Sequence, residues 1–465
     1  MTDTIDQFPF WMLAFDKEGK PENAAAINQF ISETKTRGLS DVFIFSHGWN
    51  NDRSAAMSLY RRFFAEVGKV LNDPKTTKRN GASKIGVAGV VWPSILWPDD
   101  APSDGDGPGP VLPDPGQQGG VALDGGQPAS VKTTTLAQIN GELKKVYDGE
   151  QQALIDSLIE LLETRPETDR ALFEFQSQLA QLIASESPAH LDPKHPDDAE
   201  GSIGNISASD WPGFLERIAN RAQKRGAVDG DGGGVAFGNP FKKLWGGAKE
   251  ALRVATYWQM KNRAGVVGRK GLSPIVARLA TDAPGVRVHL LGHSFGARLV
   301  SFVLAGLPDT MTEANSPVKS LFLLQGAFSH YAFADVLPHD HARSGGLKGM
   351  GKRVDGPLLT THSRRDHAVG ASYPAASFVN RDDSVASAED EASRWGAMGH
   401  DGAQAVSATG LDLGAPGTTY PFATGAWLNL DGNKVIIHGS LPSGAHSDIV
   451  HPETAWAALA AARIV

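Results

Sequence analysis

Apolar residues follow two rhythms in the first ninety positions. Residues 8–15, 42–45 and 85–91 are short, almost unbroken apolar runs of strand length, the pattern of strands buried on both faces. Between them, residues 24–37 repeat apolar side chains at helical spacing (Ala24, Ile27, Phe30, Ile31), and residues 52–71 form a second helical stretch. Strand, helix, strand at this spacing predicts a parallel α/β sheet.

The rhythm breaks at residue 99. Residues 99–128 are rich in Gly, Pro and Asp, have almost no periodic apolar positions, and read as a loop or linker. Residues 136–184 become helical. One stripe runs through Leu154, Ile155, Leu158, Ile159 and Leu162, and another through Leu172, Phe175, Leu179 and Leu182. Residues 185–210 are polar and proline-bearing, 211–224 predict a further helix, and 226–240 are glycine-rich again. The division expected is a core of residues 1–98 and 241–465, with 99–240 inserted as a helical cap between loops.

The α/β rhythm then resumes. Helices are predicted over 241–260 and 272–281, a buried strand over 286–291, a helix over 297–304, and strands over 318–324 and 358–361. Residues 427–430 and 434–438 flank Asp431-Gly432, which predicts a hairpin. Residues 452–461 read as a closing helix with Pro452 at its start, where a missing N–H costs least. No internal repeat is evident.

Composition narrows the function classes. The 465 residues carry 44 basic and 52 acidic side chains, a net charge of −8, which disfavours a general binder of nucleic acid or anionic membrane. There is no cysteine, which removes disulfides, thiolate metal sites and a cysteine nucleophile, and which suits a reducing, cytoplasmic setting. The first sixteen residues lack the basic start of a signal peptide. No apolar run approaches the ~18 residues of a membrane-spanning helix, so no integral membrane association is expected.

The candidate chemistry begins at Gly292-His293-Ser294-Phe295-Gly296. A bare Gly-x-Ser-x-Gly is weak in a chain with 52 glycines, but here an apolar strand leads into it and an apolar helix leads out. A sharp strand–turn–helix holds such a serine exposed above the sheet, and the helix N-terminus supplies free N–H groups and partial positive charge. Attack by Ser294 creates an oxyanion that needs preorganised donors. The backbone N–H of Phe295 is one candidate. The other is the N–H of Trp49, in the loop His47-Gly48-Trp49-Asn50 after the buried strand 42–45, where Gly48 lets the backbone come close to substrate.

With these residues the chain resembles the α/β-hydrolase fold family. The resemblance rests on the His47-Gly48-Trp49 loop, the 292–296 elbow, and an acid and a histidine following in that order, and it covers residues 8–98 and 241–465. It implies an eight-stranded, mostly parallel sheet and the chain order nucleophile, acid, histidine. Two features depart from the family pattern: His-Gly-Trp replaces the His-Gly-Gly-Gly of many lipases, and the large insertion precedes the nucleophile.

The candidate acid is Asp366, just past the strand at 358–361, with Asp335 and Asp340 as alternatives and a salt bridge to Arg364 or Arg365 as the structural reading. The candidate base is His446, on the loop Ser443-Gly444-Ala445-His446-Ser447-Asp448 where the family places its histidine, with His438 and His451 as alternatives. His446 would take the Ser294 proton and deliver it to the leaving group, while Asp366 fixes its tautomer. His47, Gly48, His293 and Phe328 are expected at the substrate-binding surface, His293 as a packing group. Tyr257, Trp258 and Met260 read as core or as the wall of an acyl pocket, and His330 and Tyr331 as lining or packing.

Other signals are set aside. Gly346 to Lys352 fits a phosphate loop, but Arg353 stands where Ser or Thr is required. Asp229 and Asp231 imitate a calcium loop that lacks its final Glu. His339, Asp340 and His341 lack a partner cluster. Asn205-Ile206-Ser207 carries no meaning without a secretory route. The expectation is a serine hydrolase cleaving a carboxylic ester of a small molecule or lipid through an acyl-enzyme, with no metal or organic cofactor. Amide, thioester or lipid-ester cleavage on the same residues is the alternative, as is a non-catalytic binding module.

Overall fold

A computed structural model describes residues 3–49, 52–77, 83–94, 135–147, 149–185, 210–224, 240–369, 396–439 and 443–465. The Gly/Pro-rich stretch 99–128, the segments 186–209 and 226–239, and with them Asp229, Asp231 and Asn205, lie outside the described residues.

The protein is an α/β structure built on one nine-stranded, mostly parallel sheet. Its strands are β1 (Asp3–Ile5), β2 (Phe8–Ala14), β3 (Asp41–Ser46), β4 (Ile85–Val91), β5 (Arg287–His293), β6 (Val318–Leu324), β7 (Leu358–His362), β8 (Ala408–Asp412) and β9 (Trp427–Asp431). The spatial order is β1-β2-β4-β3-β5-β6-β7-β9-β8, and only β1 runs antiparallel to its neighbour. β3 therefore lies between β4 on one side and β5 on the other, which makes the ends of β3 and β5 the point where the strand order reverses. Open parallel sheets assemble their sites at such a place.

Helices cover both faces, and alternation along the strands serves both cores. Phe43 and Phe45 point to one side, into a cluster with Tyr60, Phe63 and Phe64 of α2 (Arg53–Asn72), where Phe45 and Phe63 stand 5.0 Å apart. The helix at the C-terminal end (Pro452–Ala461) closes that face. Val42 and Ile44 point to the other side, under α1 (Ala24–Thr36), α8 (Ser273–Asp282) and α9 (Phe295–Gly306). Burial on both faces is why these strands read as unbroken apolar runs.

The inserted helices are α3 (Leu136–Val146), α4 (Glu150–Thr164), α5 (Asp169–Ser185) and α6 (Trp211–Lys224). Their apolar stripes, including Leu143, Leu158, Phe175 and Leu215, are buried and continuous with the core beneath α9. The connection is α7 (Pro240–Val266), which packs along α6 at one end and α9 at the other. Gly247 lets it lie against the Leu215 backbone: a Cβ there would overlap the Leu215 carbonyl group.

The predicted hairpin at 427–438 does not form. Type I′ turns need positive φ at both central residues, and neither Asp431 nor Gly432 has it. Instead Asp431 Oδ1 accepts from the Asn433 N–H at 2.8 Å, and the Gly432 N–H donates to the His362 carbonyl at 2.8 Å. β9 pairs in parallel with β7 and β8. The eight strands implied by the resemblance are nine here. β8 gave no apolar signal because its residues are mostly exposed, and β1 has only three residues.

A polar chain staples three strands deep in the sheet. His289 meets the Asp41 carboxylate through Nε2 at 3.0 Å and the Ser320 hydroxyl through Nδ1 at 2.9 Å, linking β5 to β3 and β6. Burial alone pushes the Asp41 carboxyl up. The His289 hydrogen bond and charge, with help from Arg287, bring it below its ordinary range. His289→Ala leaves Asp41 and Ser320 buried without their common partner. The variant should lose about 2–4 kcal/mol of stability, measured as a lower urea midpoint with an unchanged slope.

Candidate functional site

Three backbones crowd together where β3 and β5 end. Ser294 follows β5 directly and has φ 58° and ψ −122°, a conformation that non-glycine residues rarely adopt and that costs of order 1–3 kcal/mol. It is pinned from both sides. Its N–H donates to the Leu324 carbonyl at 3.1 Å, and its carbonyl accepts from Ala327 at 3.2 Å. The flanking glycines are steric requirements. A Cβ on Gly292 would overlap the Gly296 carbonyl, and one on Gly296 would overlap the carbonyls of Ser46 and His47. Gly48 lies so close that its Cβ would overlap the Ser294 Cβ and stand 3.0 Å from the His293 carbonyl.

The structure brings Ser294, His446 and Asp366 into one hydrogen-bonded chain. His446 Nε2 is 2.8 Å from Ser294 Oγ, and His446 Nδ1 is 2.8 Å from Asp366 Oδ2. Asp366 is fully buried, Ser294 is 5% exposed, and the His446 side chain is 12% exposed, so the imidazole is the part of the chain that meets solvent. Asp366 Oδ1 accepts from the Val369 N–H at 3.2 Å. Arg365 is turned away from Asp366 and donates to the Asn433 carbonyl at 2.9 Å.

The loops that carry the acid and the histidine are stitched together. Ala445 N–H donates to the Arg365 carbonyl at 2.9 Å and Ala368 N–H to the Ser443 carbonyl at 3.0 Å. Gly444 takes φ 64° at the crossing, where a Cβ would meet the Arg365 carbonyl. Asp448 anchors the far side of the His446 loop. It accepts the N–H groups of Ile437 and His438, each at 2.8 Å, and meets His451 Nε2 at 2.9 Å. His438 and His451 thus both turn to Asp448. Asp335 is exposed, and Asp340 holds a local turn through the Ala342 N–H.

The neighbouring histidines are held neutral. His47 is buried, with Nδ1 donating to its neighbour's Gly48 carbonyl at 2.8 Å and Nε2 facing the Trp92 N–H at 3.4 Å. Burial pushes it down to about 4. Its ring stacks on Trp92, and its own N–H donates to the Tyr60 hydroxyl at 2.9 Å, so His47 fixes the turn that places Gly48 and Trp49. His293 Nε2 donates to the His446 carbonyl at 2.8 Å, and burial, followed by the nearby His446 charge, pushes His293 down to about 3. Phe295 is completely buried, begins α9, and packs with Trp49 and Tyr257 at ring separations of 6.1 and 4.7 Å. Phe328 is buried in the core under α9. His330 binds Asp401 through Nδ1 at 3.1 Å, and Asp401 also meets His400 at 2.7 Å.

Connectivity alone does not single out a reactive serine. Ser320, His289 and Asp41 form a second serine–histidine–carboxylate chain in this protein. All three are shut inside the sheet, Ser320 lies within β6 without positive φ, and Arg287 also binds the Asp41 carboxylate at 3.3 Å. What sets Ser294 apart is its strained turn, its place at a helix N-terminus, where the first N–H groups lack intrahelical acceptors, and a histidine that reaches solvent. Such an arrangement can move a proton from the Ser294 hydroxyl to His446 Nε2. Among the described residues no group of three or more His, Asp or Glu is disposed to hold a metal ion, His339, Asp340 and His341 included. No helix among them is long and apolar enough to cross a membrane.

Gln325 is the polar group that the sequence did not reveal. It is fully buried and donates from Nε2 to Asp366 Oδ2 at 2.9 Å. Its neighbours in sequence, Leu324 and Gly326, carry no motif. No protein-family model matches the chain, and no curated protein or solved structure matches it.

The two neutral histidines make stability depend on pH with a definite sign. In the unfolded chain they titrate near 6.5, in the folded protein near 4 and 3. Between about pH 6.5 and 4 the unfolded state binds more protons, so stability falls as pH falls, by up to about 1.4 kcal/mol per pH unit for each histidine. Urea midpoints at pH 7 and pH 5 should therefore separate, and His47→Gln should narrow the gap.

Proposed function

We propose that this protein is a serine hydrolase of the α/β-hydrolase fold that cleaves a carboxylic ester through an acyl-enzyme. The observation that carries the reading is the chain Ser294 Oγ–His446 Nε2 and His446 Nδ1–Asp366 Oδ2, each link 2.8 Å, with the serine at a positive-φ strand–helix turn. The order nucleophile, acid, histidine along the sequence agrees with it.

In this mechanism Ser294 Oγ attacks the ester carbonyl carbon while its proton passes to His446 Nε2. The carbonyl π bond opens and its electron pair moves to the oxygen, which is received by the N–H groups of Phe295 and Trp49. Re-forming that bond breaks the bond to the alkoxy oxygen, which leaves with the proton held on His446. A water molecule then repeats the sequence on the acyl-enzyme and releases the acid. Asp366 keeps the Nδ1–H tautomer of His446 in place and stabilises the imidazolium. The glycine at 48 follows from this mechanism: a side chain there would occupy the space beside Ser294 Oγ that the tetrahedral carbon requires.

The test is covalent labelling with a fluorophosphonate probe, the modified peptide being located by mass spectrometry, followed by an ester panel graded by acyl length. One label per chain at Ser294 is expected. Ser294→Ala should abolish it and His446→Ala should slow it by about 10⁶-fold. A folded protein that neither labels at Ser294 nor hydrolyses any ester would overturn the reading in favour of a binding module.

A further inference from the structure

Gln325 occupies its position at three costs. Its φ is 45°, in the left-handed region that disfavours a side chain. Its amide is fully buried. Its Oε1 has no hydrogen-bond partner among the described residues, a deficit that folded proteins seldom tolerate. Against these stand two donations from Nε2, to Asp366 Oδ2 at 2.9 Å and to the Gly399 carbonyl at 2.9 Å. Both partners are acceptors, so the amide has one orientation only, with its NH₂ toward them.

The surroundings hold that orientation. The Gln325 N–H donates to Thr361 Oγ1 of β7 at 3.0 Å. Gly399 N–H donates to the Gly326 carbonyl at 2.9 Å, and a Cβ on Gly399 would stand 2.6 Å from the Gln325 carbonyl carbon, so the turn at Met398–Asp401 seats directly on Gln325. The Gly399 carbonyl also accepts the Ser363 N–H at 2.9 Å, three residues before Asp366. Gln325 thus ties the end of β6 to the acid-bearing loop after β7, and it shares one carboxylate oxygen with His446.

We propose that Gln325 is a positioning residue for Asp366: it fixes the carboxylate plane so that Oδ2 meets His446 Nδ1. The inference rests on reading Ser294, His446 and Asp366 as the reactive chain. Without the amide, the remaining hydrogen bonds to the Asp366 carboxylate among the described residues are His446 Nδ1 itself and the Val369 N–H on the other oxygen, and no second donor pins Oδ2 toward the imidazole.

The test uses the full chain and four variants: Gln325→Met, which keeps the length and removes the donor, Gln325→Glu, Asp366→Asn, and Gln325→Met in the Asp366→Asn background. Fluorophosphonate labelling of Ser294 is followed against probe concentration and pH, together with the proton resonance of His446 Nδ1–H. Gln325→Met should lower the maximal labelling rate by about tenfold to a hundredfold, the range for a hydrogen bond to a charged group, and leave the half-saturating probe concentration within about twofold. Gln325→Glu should retain more activity than Gln325→Met at low pH, where its protonated carboxyl can still donate. It should also move half-maximal labelling to higher pH, because an added negative charge beside the pair favours the protonated imidazole. In the Asp366→Asn background the Gln325→Met change should add no more than about twofold. The His446 Nδ1–H resonance should shift or vanish in Gln325→Met.

An unmoved resonance with labelling within about twofold of the parent would overturn the proposal, as would a full additive loss in the Asp366→Asn background. Should Gln325→Met not fold, an unmoved pH profile in Gln325→Glu has the same force. If the parent protein does not label at all, the hydrolase reading fails separately. The resonance then still decides whether Gln325 holds the Asp366–His446 contact.

Discussion

Everything at the candidate site depends on one close approach. The ends of β3 and β5 and the first turn of α9 come within van der Waals reach of one another, and only glycine fits at 48, 292 and 296. Remove any of these three and a Cβ collides with a neighbouring backbone or with the Ser294 side chain. The crowding forces Ser294 into positive φ, and that conformation turns its hydroxyl out of the sheet toward His446. The surrounding fold over-determines the strain: Leu324 and Ala327 clamp the Ser294 backbone from β6 and its loop, and His47 holds the opposite wall through Tyr60, Trp92 and Gly48. Strain of this kind persists only where so many contacts converge.

The two serine–histidine–carboxylate chains show what separates structure from chemistry. His289 sits between Asp41 and Ser320 much as His446 sits between Asp366 and Ser294, with similar distances. At the N-terminal half of the strands the group is sealed, the serine stays within its strand, and a guanidinium competes for the carboxylate. At the C-terminal ends the serine leaves the strand and the histidine faces solvent. The direction of the parallel strands separates the two chains: at the C-terminal ends the backbone leaves the sheet, the place where open parallel sheets assemble their sites.

Much of this was legible in the residues. The apolar runs at 42–45, 85–91 and 318–324 mark strands because burial on both faces leaves no room for polar alternation. The elbow was legible because its sterics demand a particular residue at particular positions, and the loop carrying His446 because it lies between the last strand and a proline-started helix. The parts that escaped have equally physical reasons. β8 is largely exposed and carries the residues Ala-Thr-Gly-Leu-Asp, so it has neither an apolar run nor an alternating face. Asp431-Gly432 spells a hairpin turn, yet a local bond from Asn433 to Asp431 and a tertiary bond from Gly432 to His362 redirected the chain. Gln325 escaped because hydrogen bonds across forty residues of sequence leave no local pattern.

Among the described residues, α7 links the helices between β4 and α7 to the residues beside the elbow. In its C-terminal turns, Gln259 donates to the Leu182 carbonyl of α5 at 2.9 Å, and Arg263 donates to the carbonyls of Pro93 and Val146. In the same turns, Tyr257 packs edge-on against Trp49 at 5.4 Å and at a tilt against Phe295 at 4.7 Å, the two residues whose N–H groups are the proposed oxyanion donors. Between Gln259 and Arg263, the Lys261 carbonyl accepts from Arg298 of α9 at 2.8 Å. α7 thus touches both proposed donor residues and α9, the helix that follows Ser294. The buried face of these helices is continuous with the core of the sheet, so the packing that holds them and the packing around Ser294 meet at Tyr257.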